Sequence, residues 1–158
     1  EAYITDVEFS DAPMETTEPR VAQMLHEGDV NTAEFESNNG GRGFARNIQR
    51  ILSEDYKSNR TVVRSIPQTK NKEARILASS AWVAEHVYMP VNWKHKWPEF
   101  YKQITSYQSK GKNAHDDAPD VLASIYEKAT GKMKPKVYNK ASTGLYTKAQ
   151  QPSRGYWG

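Results

Sequence analysis

Thr32-Ala33-Glu34-Phe35-Glu36-Ser37-Asn38-Asn39-Gly40-Gly41-Arg42-Gly43-Phe44-Ala45-Arg46 is the run whose reading decides the fold. Its first five residues suit a strand, and the Asn and Gly that follow suit a turn. Phe44, Ile48, Ile51 and Leu52 then share one face of a helix expected over 44–57. Strand, glycine-rich turn and helix in that order point to an α/β sheet. Ligands of such sheets gather outside the carboxyl ends of the strands, and Glu36 stands at such an end. The turn is not a Walker A loop, because no Gly-Lys-Ser/Thr follows at the needed spacing. Free N–H groups at the helix start can hold a phosphate. Arg42 and Arg46 can add charge-assisted contacts to a nucleic-acid backbone. A tight turn with solvated arginines accounts for the same residues without a ligand.

The second informative run is Lys112-Asn113-Ala114-His115-Asp116-Asp117-Ala118-Pro119-Asp120-Val121-Leu122-Ala123. It places three carboxylates and an imidazole within six residues. Pro119 lacks a backbone N–H and suits the first turn of a helix. Val121, Leu122, Ile125 and Ala129 follow at helical spacing. The acids therefore sit at a helix start, where the dipole favours negative charge. Asp117 and Asp120, three apart, share a face. Two readings compete: a crowded N-cap, or oxygen ligands for hard divalent cations. Glu36 decides between them only if the fold brings it near. Lys110 and Lys112, in the polar loop before these acids, suit a DNA phosphate or plain solvation equally.

The remaining segments extend the α/β pattern. Residues 2–9 alternate and read as a strand that starts without a preceding turn. Thr17 and Pro19 suggest a helix start, with the helix running to about His26 and closed by Gly28. Residues 61–66 read as a buried strand. Asn71 caps a helix from Lys72 to about Val83, and Val87-Tyr88-Met89 is extended. Asn92-Trp93-Lys94-His95-Lys96-Trp97 offers either a DNA-facing aromatic ledge or two tryptophans that pack a helix over 98–107.

Composition sets the outer limits. The chain of 158 residues suits one domain with one core. It has no Cys, which excludes disulfides, zinc–thiolate sites and cysteine nucleophiles. No Ser lies in a nucleophile-elbow pattern. No apolar run is long enough to span a membrane, and the start lacks a secretory signal pattern. The net charge of +3 is uneven: residues 131–158 hold six basic residues and no acid, while residues 1–130 hold all 19 acids. This divides the chain into a folded body, 1–130, and a basic tail, 131–158. Such a tail suits contact with nucleic acid or an acidic protein surface, or simple solvation.

Five pieces together resemble the C-terminal nuclease domain of phage large terminases. They are Asp11-Ala12-Pro13-Met14-Glu15, Glu36-Ser37-Asn38-Asn39-Gly40-Gly41, Val87-Tyr88-Met89-Pro90, Trp97-Pro98-Glu99-Phe100-Tyr101 and His115-Asp116-Asp117-Ala118-Pro119-Asp120. They occur in the family's order. The resemblance implies a ribonuclease H-like mixed sheet flanked by helices, here lacking its first strand or strands. It implies a Mg²⁺- or Mn²⁺-dependent endonuclease, with two ions, that cuts concatemeric double-stranded DNA during packaging. Glu36 would be the second acidic ligand and Asp117 the third. Asp116 would be a neighbouring or alternative ligand, Asp120 a helix-start residue behind them, and His115 a proton carrier or a donor to a ligating carboxylate. No residue matches the first acid, and Asp6 is not given that role. The implied partners are DNA, the portal protein, the small terminase subunit and an ATPase domain upstream in the same polypeptide, with no membrane. The implied location is the cytoplasm of a bacterial host, with a virus or prophage as source. Two other readings stand beside it: a non-catalytic DNA-gripping or portal-docking module, and another ribonuclease H-like enzyme such as a resolvase.

Overall fold

The computed structural model describes residues 1–108, 113 and 115–131. The readings made for Lys110, Lys112 and the tail beyond Gly131 lie outside the described residues. The order of elements is β1 (Ala2–Tyr3), α1 (Met14–Glu27), β2 (Thr32–Glu36), α2 (Gly41–Glu54), β3 (Val62–Ile66), α3 (Lys72–His86), β4 (Val87–Tyr88), α4 (Trp93–Lys96), α5 (Pro98–Ser106) and α6 (Asp117–Ala129). The protein is mixed α/β, as the sequence pattern requires.

Among the described residues the strands form two parallel pairs, β2 with β3 and β1 with β4. A single mixed sheet was expected; the two pairs are not joined by ladder bonds. The β2–β3 register runs from Thr32 opposite Val62 to Glu36 opposite Ile66. Val62 N–H donates to the Asn31 carbonyl and Ser37 N–H to the Ile66 carbonyl, both at 2.9 Å. In a parallel ladder, alternate residues bond to the same neighbour. Ala33 and Phe35 therefore face β3 with their backbone groups. Glu34 turns its own toward the other edge of β2, where no described strand pairs.

Each pair carries its own core. Ala22, Leu25, Ala33, Ile48, Ile51 and Leu52 form one under β2–β3, from α1, α2 and the strand. The face predicted for the second helix is the face that is buried. Trp97, Phe100, Ala118 and Leu122 form the other, with Ile4, Val7 and Phe9 packed against it. This explains the short β1. Past the two residues that pair with β4, Ala2 and Tyr3, the segment leaves strand geometry, and Ile4, Val7 and Phe9 pack against the core that α5 and α6 share. The aromatic run resolves as packing: Trp97 is buried, and Trp93 lies edge-on to Phe100 and Tyr101.

Two helix starts differ from expectation. α1 begins at Met14, after an extended Pro13, and Pro19 lies inside it. Glu15 and Pro19 are both exposed, so the Glu15 carbonyl that forgoes the Pro19 N–H can meet water. α2 begins three residues early, at Gly41. Gly40 has φ +90°, which glycine adopts without strain. At Gly41 a Cβ would stand 1.7 Å from the Glu36 carbonyl oxygen. The turn thus needs glycine at both places, and it clamps the end of β2 against the start of α2.

Candidate functional site

Three element ends carry the residues that the sequence singled out or that pair with them. β2 ends on Glu36, α3 begins at Lys72, and α6 begins at Asp117. Asn71 Oδ1 accepts from Ala74 N–H at 3.0 Å, so the expected cap sets where α3 starts. α6 starts after Asp116, with Asp117 and Asp120 in its first turn and Pro119 in the place its missing N–H suits. The two helices pack along their length, which fixes the two starts against each other.

A buried ion network joins them. The Arg75 side chain is 3% exposed and meets Asp120, Ser124 and Glu127 on α6. Its Nη2 is 2.7 Å from Ser124 Oγ and 3.3 Å from a Glu127 oxygen. Lys70 Nζ adds a contact of 2.7 Å to Glu127. Burial pushes the Glu127 carboxyl up, but the Lys70 hydrogen bond and the Arg75 charge outweigh it and hold it below its ordinary value. Asp120 shifts the other way. Burial raises it, Arg75 and Lys72 lower it, and the charges of Glu36 and Asp116 add to the rise. The Glu36 contribution is informative: the carboxyl end of β2 and the first turn of α6 share one electrostatic neighbourhood.

The outer acids hold a cation from the protein itself. Lys72 Nζ lies 2.7 Å from Asp116 Oδ1 and 2.7 Å from Asp117 Oδ1. Burial lowers the Lys72 ammonium, but these two carboxylates reverse the effect and leave it above the ordinary lysine value. Asp117 is 71% exposed on its side chain. It also lines a cavity of about 730 Å³ with Asp11, Glu99 and His115. His115 is exposed and sits at the mouth of that space.

Glu36 faces a different hollow. Together with Glu34, Phe35, Ile66, Val121 and Ile125 it lines a groove of about 240 Å³ between β2 and α6. Asn38 Nδ2 donates to Glu36 Oε1 at 2.9 Å and to the Gln68 carbonyl at 2.7 Å, which ties the carboxylate to the turn after β3. The residues named from the sequence thus fall into two groups. Asp116, Asp117 and His115 lie together on the α3–α5–α6 side. Glu36 lies on the β2 side, and Asp120 stands within electrostatic reach of it. Among the described residues, no group of three or more His, Asp or Glu is placed to hold a metal ion. Arg42 and Arg46 are exposed on the first turns of α2 and make no ion pair among the described residues.

Sequence reading did not single out Lys72, Arg75 or Glu127. Arg75 carried one available signal. It shares a helix face with Ser79, on a helix whose other positions suited a core, and a polar stripe there calls for a polar partner. The partner stripe on α6, Asp120, Ser124 and Glu127, has the matching spacing.

No protein-family model, curated protein or solved structure matches this chain.

Proposed function

We propose that this chain is a metal-dependent DNA endonuclease domain with a ribonuclease H-like fold, of the kind found in viral DNA-packaging terminases. The observation that supports the reading is electrostatic: the charge of Glu36, at the carboxyl end of a parallel strand, contributes to raising the Asp120 carboxyl in the first turn of α6, as does that of Asp116. Carboxyl ends of strands are where open α/β sheets bind ligands.

The donor set fits hard cations. Carboxylate oxygens are the ligands Mg²⁺ and Mn²⁺ prefer. Asp116 and Asp117 already direct one oxygen each at a single positive charge, the Lys72 ammonium. Glu36, Asp116 and Asp117 would hold the ions. Bound there, such a metal would supply an activated water and charge stabilisation at the leaving oxygen. The protein's own residues do the rest. Arg75 fixes the first turn of α6 through Asp120. Asn38 orients Glu36. His115, exposed beside Asp117, can carry a proton between the site and solvent. Arg42 and Arg46 offer a positive edge to a DNA phosphate backbone.

The edge of β2 away from β3 pairs with no described strand. Its open backbone groups lie beside Glu36, and the groove between β2 and α6 has an apolar lining from Phe35, Ile66, Val121 and Ile125. The portal protein, the small terminase subunit and the upstream ATPase domain remain partners proposed by resemblance, as does a bacterial host cytoplasm. No helix among the described residues is long and apolar enough to cross a membrane.

A specific observation favours a second reading, a non-catalytic DNA-gripping or docking module. Among the described residues no three ligating groups converge. Plasmid nicking in Mg²⁺ and in Mn²⁺, with EDTA controls, separates the two. The nuclease reading expects EDTA-sensitive nicking. Retention of DNA without nicking would favour the module.

A further inference from the structure

β2 has one edge bonded to β3 and one that no described strand joins. The backbone groups of Thr32, Glu34 and Glu36 point to that open side. Such a row of N–H and C=O groups is a template for a further extended segment. Beside it runs the groove of about 240 Å³ with its apolar lining of Phe35, Ile66, Val121 and Ile125. Val121 is 56% exposed, although its neighbours Leu122 and Ala123 are buried. Glu34 and Glu36 line the same groove. Edge, groove and charge together ask for an extended segment that is apolar on one face and basic on the other.

The chain carries such a segment just after α6. Residues 132–137 read Lys132-Met133-Lys134-Pro135-Lys136-Val137. Lysines and apolar residues alternate with a period of two, the period of a strand. Extended, the run presents Met133, Pro135 and Val137 on one face and its lysines on the other. Pro135 has no N–H, which an edge strand tolerates where that nitrogen points away from its neighbour. We propose that residues 132–137 lie along the open edge of β2 and close the groove against α6. The reach is sufficient. Lys128 Nζ is 2.9 Å from Glu34 Oε2, so the last turn of α6 already touches the middle of β2. The segment starts four residues beyond Lys128. Six extended residues span about 20 Å, against about 17 Å for the five of β2. A segment tethered so close has a local concentration on the order of millimolar, which favours it over a free peptide or a second copy. Its lysines bring positive charge to an edge that carries Glu34 and Glu36. The proposal draws nothing from the nuclease reading and stands or falls apart from it.

The test is amide hydrogen exchange, read by NMR on the whole chain, for wild type and for Met133→Asp with Val137→Asp. The Ala33 and Phe35 amides, which face β3, check that both proteins keep the β2–β3 ladder. The expected result is that the Glu34 amide exchanges about tenfold or more slowly in wild type than in the variant. NOEs should join the methyl groups of Val121 or Ile125 to those of Met133 or Val137 in wild type and vanish in the variant. Both results should hold on dilution. Equal exchange of the Glu34 amide in the two proteins, fast or slow, would overturn the proposal. Protection that falls on dilution would assign the edge to a second copy and overturn it equally.

Discussion

Arg75 and Asp120 form an ion pair across the α3–α6 contact with the arginine side chain 3% exposed and the aspartate 14% exposed. This pair, together with Glu127, positions the acidic helix start. Removing one partner of such a group leaves charge buried without compensation. Arg75→Met should therefore destabilise the fold by about 3–5 kcal/mol. Urea unfolding at pH 7 measures it. A loss below about 1 kcal/mol would mean that α6 is held by its apolar contacts alone.

The pH dependence follows from opposite shifts. Glu127 is held below its ordinary value of 4.5, so its charge stabilises the fold above that value. That contribution is lost as the pH falls through the folded pKa, which lies below 4.5. Asp120 is raised above 3.8, so protonation of this group favours the folded state and offsets part of the acid loss. Glu127→Gln should cost about 2–3 kcal/mol at pH 7. The cost should shrink below pH 4.5, where wild type loses the same charge. Denaturant melts at a series of pH values would show this, and a cost that is flat from neutral to strongly acidic pH would contradict it.

Glu36 and Asp120 supply a direct check on their shared electrostatic neighbourhood. The Glu36 charge is one of the causes that raise Asp120. In Glu36→Gln that cause is gone, and the Asp120 carboxyl should titrate lower than in wild type. Carboxyl-carbon NMR reads the midpoint residue by residue. An unchanged Asp120 midpoint would place Glu36 too far away to act with α6.

Much of the fold was legible because it depends on local rules. The β2–turn–α2 unit, the Asn71 cap and the Pro119 helix start follow from strand alternation, glycine and capping chemistry. What was not legible depends on partners distant in sequence. The alternation over residues 2–9 reads as strand, yet Ile4, Val7 and Phe9 pack against the core of α5 and α6 at uneven spacing and only Ala2 and Tyr3 join a ladder. Pro13 and Pro19 both suit a first helical turn, and only the tolerance of exposed Glu15 for an unpaired carbonyl puts the start at Met14. For the site, residue types and spacing pointed to Asp116, Asp117 and Glu36. They could not show that Lys72 answers the first two while Arg75 holds Asp120. That pairing is set by the crossing of α3 and α6, which neither helix encodes alone.

The most direct test of the central claim is nicking of supercoiled plasmid by this protein, in Mg²⁺ and Mn²⁺. Wild type, Asp117→Asn and Glu36→Gln are compared, each with an EDTA control. The account expects EDTA-sensitive nicking by wild type. It also expects a loss of at least about a hundredfold in both variants at unchanged melting temperature, because a neutral amide is a poor ligand for a hard cation. Nicking should be faster in Mn²⁺ than in Mg²⁺. Nicking that survives EDTA, or that persists at the wild-type rate in folded Asp117→Asn and Glu36→Gln, would contradict it.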